Sequence, residues 1–193
     1  FESVHEFEYI NSLAAYTHAH PDFVFAELSE SKYELEATAL GHPLIKPVQR
    51  VHNSFHLNCD SKIALVTGSN MAGKSTFLRT VGINLILAQM GAPVCASRFV
   101  TSRLQVFTSM RTQDNLEENV SSFYAELQRI RQLLDLIPAS EVPVLFMLDE
   151  LLKGTNSRDR HKGAMALVRQ LHGMDTCGLV STHDLELSVL EDE

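Results

Sequence analysis

A chain of 193 residues that is 45% apolar and 21% charged has the length and composition of one sizeable globular core with an appendage. Its net charge of −8 argues against the segment being itself a broad nucleic-acid-binding surface, because neutralising phosphates needs a basic patch. Three isolated cysteines, Cys59, Cys95 and Cys177, form no CxxC or zinc spacing and predict reduced, mostly buried thiols in a cytoplasmic protein.

In chain order, Val4, Phe7, Ile10 and Ala14 fall on one helical face ahead of Pro21, the pattern of a helix that ends before the proline. Phe1 in place of an initiator Met predicts an excised fragment, and no signal pattern is visible. Tyr33 to Leu40 alternates Tyr33, Leu35, Ala37 and Ala39 against polar residues, which predicts a half-exposed strand. Gly41-His42-Pro43 marks a turn. Val51 to Leu57 reads as an edge strand or a returning loop. Ile63 to Thr67 is a short apolar run that predicts a buried strand. After a Gly-rich stretch, Phe77, Leu78, Val81, Leu85 and Ala88 recur at helical spacing. The uncharged run between Thr80 and Arg98 is interrupted by Asn84, Gln89, glycine and proline, so it does not read as a membrane span.

Leu104 to Thr108 predicts a strand, and polar Arg111 to Asn119 a loop. Phe123, Leu127, Ile130, Leu133, Leu134 and Ile137 predict a helix ending before Pro138. Ser121 or Ser122 is its natural N-cap, and Glu126 or Asp135 lies on its solvated face. Pro143 to Leu148 is continuously apolar after its proline, as a central parallel strand should be. Arg158 to His172 reads as an amphipathic helix, and Cys177 to Val180 as a last strand leading into Ser181-Thr182-His183-Asp184. Strands alternating with helices predict a wound α/β sheet.

Gly68-Ser69-Asn70-Met71-Ala72-Gly73-Lys74-Ser75 satisfies the spacing G-x-x-x-x-G-K-[ST] of a nucleotide-phosphate loop, between a predicted strand and a predicted helix. With ordinary residue frequencies the pattern arises by chance about once in 30,000 start positions. Its glycines allow positive φ and close backbone approach. Successive amides and the helix N-terminus supply donors and partial positive charge. Lys74 would reach the β- and γ-phosphates, and the Ser75 hydroxyl would hold Mg²⁺. The strand Val144 to Leu148 runs into Asp149-Glu150, at the strand end where ligands bind in open α/β sheets. Asp149 would coordinate Mg²⁺, and Glu150 would polarise the attacking water as general base. Simple phosphoryl-transfer kinases need no such glutamate. The order of phosphate loop, Ser-initiated helix, Asp-Glu and strand-end His183 is that of ABC-type dimeric ATPases, an α/β P-loop NTPase sheet flanked by helices.

The stretch Thr67 to Thr76, with its Asn70-Met71 pair, resembles the phosphate loop of the MutS family of DNA mismatch-repair ATPases. Leu148-Asp149-Glu150 followed by Gly154-Thr155, Ser121-Ser122-Phe123 with Glu126-Leu127, and Ser181-Thr182-His183 are similar to that family's acidic strand, signature helix and strand-end histidine. Gly41-His42-Pro43 and Val51-His52-Asn53 match the short motifs where the family binds adenine, which implies an adenine region at His42, Pro43 and Asn53. The resemblance runs from about Glu34 to Leu187. It implies an ATPase domain over residues 31–193, with residues 1–30 closing an upstream helical core domain. It further implies Mg²⁺ and ATP at a site where Ser121 and Ser122 reach the partner's nucleotide in a homodimer. His183 would contact the γ-phosphate, DNA would bind through domains outside this segment, and no membrane would be involved.

The sequence also departs from the family pattern. Ser69 and Ala72 stand where mismatch-recognising members carry Pro and Gly. Asn119-Val120 replaces the Gly-Arg before the signature serine, and Leu151-Leu152-Lys153 replaces Ile-Gly-Arg. A divergent paralogue is the expectation. Competing readings are an SMC-like or transporter-type ABC ATPase, a small-molecule P-loop kinase, and a nucleotide-binding module without turnover. Phe25-Ala26-Glu27 mimics the family's mismatch-probing Phe-x-Glu but reads better as a packing residue followed by a surface acid. The pairs His18/His20 and His52/His56 lack the partners of a metal site. Asn156 to Asp159, at the start of a helix, is the expected cross-subunit contact.

Overall fold

A computed structural model describes residues 2–69, 71–110, 122–152 and 156–183. Helix α1 (Glu2–Ala19) stops just before Pro21, because the residue preceding a proline is driven out of the α region. The apolar stripe named from the sequence does not face a core: Val4, Phe7 and Ile10 are exposed, as is Ala14. The half-buried residues are Leu13, Tyr16 and Thr17.

Among the described residues, two four-stranded sheets come after α1. The first contains β1 (Glu27–Leu28), β2 (Leu35–Leu40), β3 (Asn53–Leu57) and β5 (Arg98–Thr101), in the order β1-β5-β2-β3. Strand β2 runs antiparallel to β3 and β5, while β1 runs parallel to β5. The second contains β4 (Ile63–Thr67), β6 (Gln105–Ser109), β7 (Val144–Asp149) and β8 (Thr176–Thr182), all parallel, in the order β4-β8-β7-β6. Helices α2 (Lys74–Gln89), α3 (Ser122–Ala139) and α4 (Ser157–His172) make the connections. This is the α/β P-loop NTPase architecture the sequence predicted, with a short helical segment ahead of it.

Four local differences from the sequence expectation have physical causes. Along Tyr33–Leu40, which includes β2, the inward positions are Tyr33, Leu35 and Ala37, then Leu40 rather than Ala39. A register shift between Ala37 and Leu40 inserts a residue, and Ala39 takes φ 51°; a bulge resets the alternation. Strand β4 is half-buried rather than buried, because it is the outer strand of its sheet among the described residues. Pro138 lies inside α3, one residue before its end at Ala139, so the i→i−4 bond it cannot make is lost from the last turn only and the helix stops directly after it. Strands β1 and β5 carry too few residues to show a period.

Strand β7 reads as a continuous apolar run because both of its faces are covered. Leu145 and Met147 join a cluster with Leu78, Val81 and Leu85 of α2 and with Leu35 and Phe99 of the mixed sheet. Val144, Phe146 and Leu148 join the opposite cluster, with Leu133 and Ile137 of α3 and Leu167 and Leu171 of α4. Among the described residues no helix is long and apolar enough to cross a membrane. Cys59 is exposed, whereas Cys95 and Cys177 are buried.

Gly178 faces Phe146 across β8 and β7, and a Cβ there would lie 2.3 Å from the Phe146 carbonyl oxygen. Gly178→Ala should therefore destabilise the fold by about 1–3 kcal/mol or more, read as a lowered urea midpoint. Burial pushes the Cys177 thiol up to about 12 from 9.0. Below the lower value folded and unfolded chains both keep the proton. Above it the unfolded chain ionises first, so stability falls as pH rises, by about 1.4 kcal/mol per pH unit from this group. Between pH 8 and 10 the wild-type protein should lose about 1 kcal/mol more unfolding free energy than Cys177→Ala.

Candidate functional site

The turn between β4 and α2 is built from left-handed backbone. Gly68 takes φ 149°, Met71 70° and Gly73 88°, and Gly73 caps the N-terminus of α2 in that conformation. A Cβ on Gly73 would meet nothing within 4 Å, so glycine is needed there for its φ rather than for space. The Ala72 amide donates to the Ser69 carbonyl at 3.2 Å and closes the turn. Lys74 is buried, and its ammonium donates to the Gly68 carbonyl at 2.7 Å and the Ser69 carbonyl at 3.0 Å. Ser75 and Thr76 follow in the first turn of α2. Asn70 lies outside the described residues.

The parallel register brings three strand tips level. Thr67 of β4 pairs with Thr182 of β8, and Ser181 of β8 pairs with Asp149 of β7. Gly68, His183 and Glu150 each follow one of these tips directly. The Ser181 hydroxyl, fully buried, donates to Asp149 Oδ1. The Glu150 amide donates to the Ser181 carbonyl at 3.1 Å and also reaches its hydroxyl at 3.2 Å. His183 Nδ1 lies 4.0 Å from Glu150 Oε1. Glu150 and Leu152 both have left-handed φ, 54° and 57°, an uncommon conformation for residues with side chains that costs of order 1–3 kcal/mol each. Buried Leu152 packs so closely under α4 that a Cβ on Gly163 would fall 2.5 Å from its Cδ1.

A cleft of about 480 Å³ opens beside the phosphate loop. Its lining takes Ala72, Gly73, Lys74 and Thr76 from the loop and α2, and His42, Ile45, Gln49 and Asn53 from the chain ahead of β4. The structure thus brings His42 and Asn53 of the expected adenine region into one cavity with the loop. Pro43 is not among the lining residues; its carbonyl accepts from Arg50 Nη2 at 3.4 Å. Burial, then the charges of Arg50 and Arg79, hold the His42 imidazole below its ordinary pKa. This favours the neutral ring, whose Nδ1 accepts from the Leu44 amide at 3.2 Å. Asn84 of α2 is fully buried and donates to the Gly41 carbonyl at 3.0 Å while accepting from the Cys95 amide at 2.8 Å. It thereby fastens the 41–45 turn to the helix that carries the phosphate loop.

Of the expected signature residues, Ser121 and the side chain of Ser122 lie outside the described residues, as do Gly154, Thr155 and the polar stretch 111–119. The expectation for Glu126 is corrected. It does not sit idle on a solvated face; its carboxylate accepts from the Leu152 amide and so anchors the left-handed turn after the acids. Phe25 is also corrected, being 61% exposed rather than packed, while Glu27 pairs with Arg98 at 3.4 Å. His20 stacks edge-on against Tyr16 and Phe23. Asn156 caps α4 by accepting from the Asp159 amide at 2.9 Å, and this turn is exposed. Sequence reasoning missed Asn84, Ser181 and Glu126 as supports. For Asn84 the available signal was a polar residue at a position whose helical neighbours Thr80, Val81 and Leu85 all point inward.

A parallel sheet with a glycine-rich loop at one tip and an Asp-Glu pair two strands away defines the P-loop NTPase class. Within that class, residues 64–193 match the family model described as MutS domain V, and the chain belongs to the MutS family. It is 35% identical over 158 residues to a DNA mismatch repair protein MutS from Geobacillus thermodenitrificans, across 78% of this chain and 17% of that protein. It is 32% identical to MutS protein homolog 4 from Mus musculus, across 78% of this chain and 16% of that protein. It is also 32% identical to Endonuclease MutS2 from Thermus thermophilus, across 74% of this chain and 18% of that protein. The chain therefore spans under a fifth of the length of these relatives.

Asn84→Leu would leave the buried Gly41 carbonyl and Cys95 amide without these partners. It should cost roughly 2–4 kcal/mol, measured by chemical unfolding.

Proposed function

We propose that residues 31–193 form the ATP-binding and ATP-hydrolysing domain of a divergent MutS-like DNA repair protein, with residues 1–30 closing an upstream helical core domain. The observation that carries this reading is the level alignment of the β4, β8 and β7 tips. It sets a phosphate loop, a histidine and two carboxylates along one edge of the sheet. Similar identities to a MutS, a MutS homolog 4 and a MutS2 support a divergent branch, as do Ser69 and Ala72 in the loop. The relatives' names support DNA as the ultimate partner, bound through parts of a longer protein.

The amides of residues 68–76, Gly68, Ser69, Asn70, Met71, Ala72, Gly73, Lys74, Ser75 and Thr76, would cradle the phosphates. Lys74 would exchange its bonds to the Gly68 and Ser69 carbonyls for the β- and γ-phosphate oxygens. The Ser75 hydroxyl and the Asp149 carboxylate are hard oxygen donors that fit Mg²⁺, and the Ser181 hydroxyl fixes the carboxylate by one oxygen. When bound, the ion neutralises charge on the phosphate oxygens. Glu150 accepts a proton from the water whose oxygen attacks the γ-phosphorus; the bond to the β-γ bridging oxygen breaks, releasing ADP and inorganic phosphate. His183, beside Glu150, contacts the γ-phosphate. His42, Pro43 and Asn53 form the adenine region. Ser121 and Ser122 of a second copy complete the site in a homodimer, with Asn156 to Asp159 at the interface. ATP and ADP then favour different dimer geometries and change how the distant domains grip DNA.

Glu150→Gln should lower phosphate release by about 100-fold or more while ATP binding persists, and Lys74→Ala should lose binding. Turnover by Glu150→Gln at the wild-type rate would sink the assignment of the base.

A further inference from the structure

The segment 42–50 contributes His42, Ile45 and Gln49 to the cleft lining yet is itself poorly buried; Leu44 is 84% exposed and Val48 92%. Its internal bonds are local: Ile45 to His42, Gln49 to Lys46 and Arg50 to Pro47. A segment this exposed and this locally bonded does not hold the wall of a cavity unaided. Asn84 ties down its start at Gly41; beyond that point the long-reaching side-chain support comes from Arg50. Arg50 Nε and Nη2 donate to the Ile45 carbonyl at 3.1 and 2.8 Å, and Nη2 also reaches the Pro43 carbonyl at 3.4 Å. Its stem lies against Gly41, where any Cβ would meet Arg50 Cδ at 2.4 Å. Its guanidinium carbon stands 5.5 Å from the centre of the Phe23 ring. Phe23 in turn meets His20 edge-on at 4.6 Å and Tyr16 of α1 at 6.3 Å.

We propose that Arg50 is a positioning residue that braces the base-binding wall of the nucleotide cleft and, through Phe23, makes the shape of that wall depend on the seating of α1. The inference rests on the proposed nucleotide site and adds to it a residue that touches no phosphate. The two parts of the lining have separate supports. The phosphate-loop part is made by the β4–α2 turn, which closes on its own bonds. The 42–50 part is shaped by the two carbonyls that the guanidinium fork draws together. A planar fork can bridge Ile45 and Pro43 while its face covers an aromatic ring; a lysine ammonium, a point donor on a flexible stem, does not reproduce both contacts. Loss of Arg50 should therefore weaken recognition of a ligand with a base and spare recognition of phosphates alone. Displacement of α1, which carries Tyr16, should act in the same direction through the ring stack.

The test is calorimetric titration of the wild-type, Arg50→Ala, Arg50→Lys and Phe23→Leu proteins with Mg-ATP and, separately, with Mg-tripolyphosphate, which has the phosphates and no base. Arg50→Ala should bind ATP about 10-fold more weakly and tripolyphosphate within about twofold of wild type. Arg50→Lys, which keeps the charge and much of the stem, should show the same ligand-selective loss with an unshifted melting temperature. Phe23→Leu should lose ATP affinity by about 2–5-fold. Turnover at saturating ATP should stay within about twofold of wild type in each variant, so the effect falls on KM and not on kcat. Unchanged ATP affinity in both Arg50 variants, or an equal loss for ATP and tripolyphosphate, overturns the brace and leaves the nucleotide site standing. Failure of the wild-type protein to bind ATP overturns the nucleotide site itself and the brace with it.

Discussion

The register of three parallel strands is the constraint on which the rest of the structure depends. Because β8 lies between β4 and β7 and pairs with both over their full length, the tips of all three are fixed relative to one another by main-chain hydrogen bonds, before any side chain contributes. The close approach of Gly178 to the Phe146 carbonyl and the apolar packing on both faces of β7 keep that register from slipping. A one-residue shift would carry Asp149 away from Ser181 and turn the core faces of the strand inside out.

At the strand tips the chain leaves this register through left-handed backbone. The loop after β4 contains left-handed Gly68, Met71 and Gly73, and the turn after β7 contains left-handed Glu150 and Leu152. Glycine takes this conformation freely, whereas Glu150 and Leu152 persist in it because neighbours over-determine them. Ser181 accepts the Glu150 amide, Glu126 accepts the Leu152 amide, and Gly163 leaves room for the Leu152 side chain. The carboxylates are thus aimed by three different elements, β8, α3 and α4, none of which supplies a carboxylate to the strand tip itself.

Much of this order was legible in the sequence, for reasons that also explain the gaps. The Val144–Leu148 stretch of β7 and the Cys177–Val180 stretch of β8 announce themselves because burial on both faces leaves no polar side chain in them. The phosphate loop announces itself because its backbone needs glycine at fixed positions. Strands β1 and β5 are silent, since two and four residues carry no period. The position of Ala39 misleads because a bulge is a main-chain event that leaves residue types unchanged. Glu126 reads as solvated, since helical spacing gives the direction of a side chain but not the amide waiting at its end. The apolar stripe of α1 was visible, but spacing cannot say whether such a face meets this domain, and among the described residues it does not. Arg50 carried no signal at all: an arginine beside a turn looks like surface until the carbonyls of Pro43 and Ile45 are seen in its reach.

The place of β4 in the sheet also bears on how the chain is made. Its partner among the described strands is β8, and α2, β5, β6, α3, β7 and α4 all lie between the two in sequence. During synthesis the strand leading into the phosphate loop must wait, unpaired, until β8 has left the ribosome, and long-range parallel pairings of this kind form slowly. The loop therefore acquires its final shape late, and a nascent chain cut short before residue 176 would present the Gly-Lys-Ser sequence without the pairing that seats it.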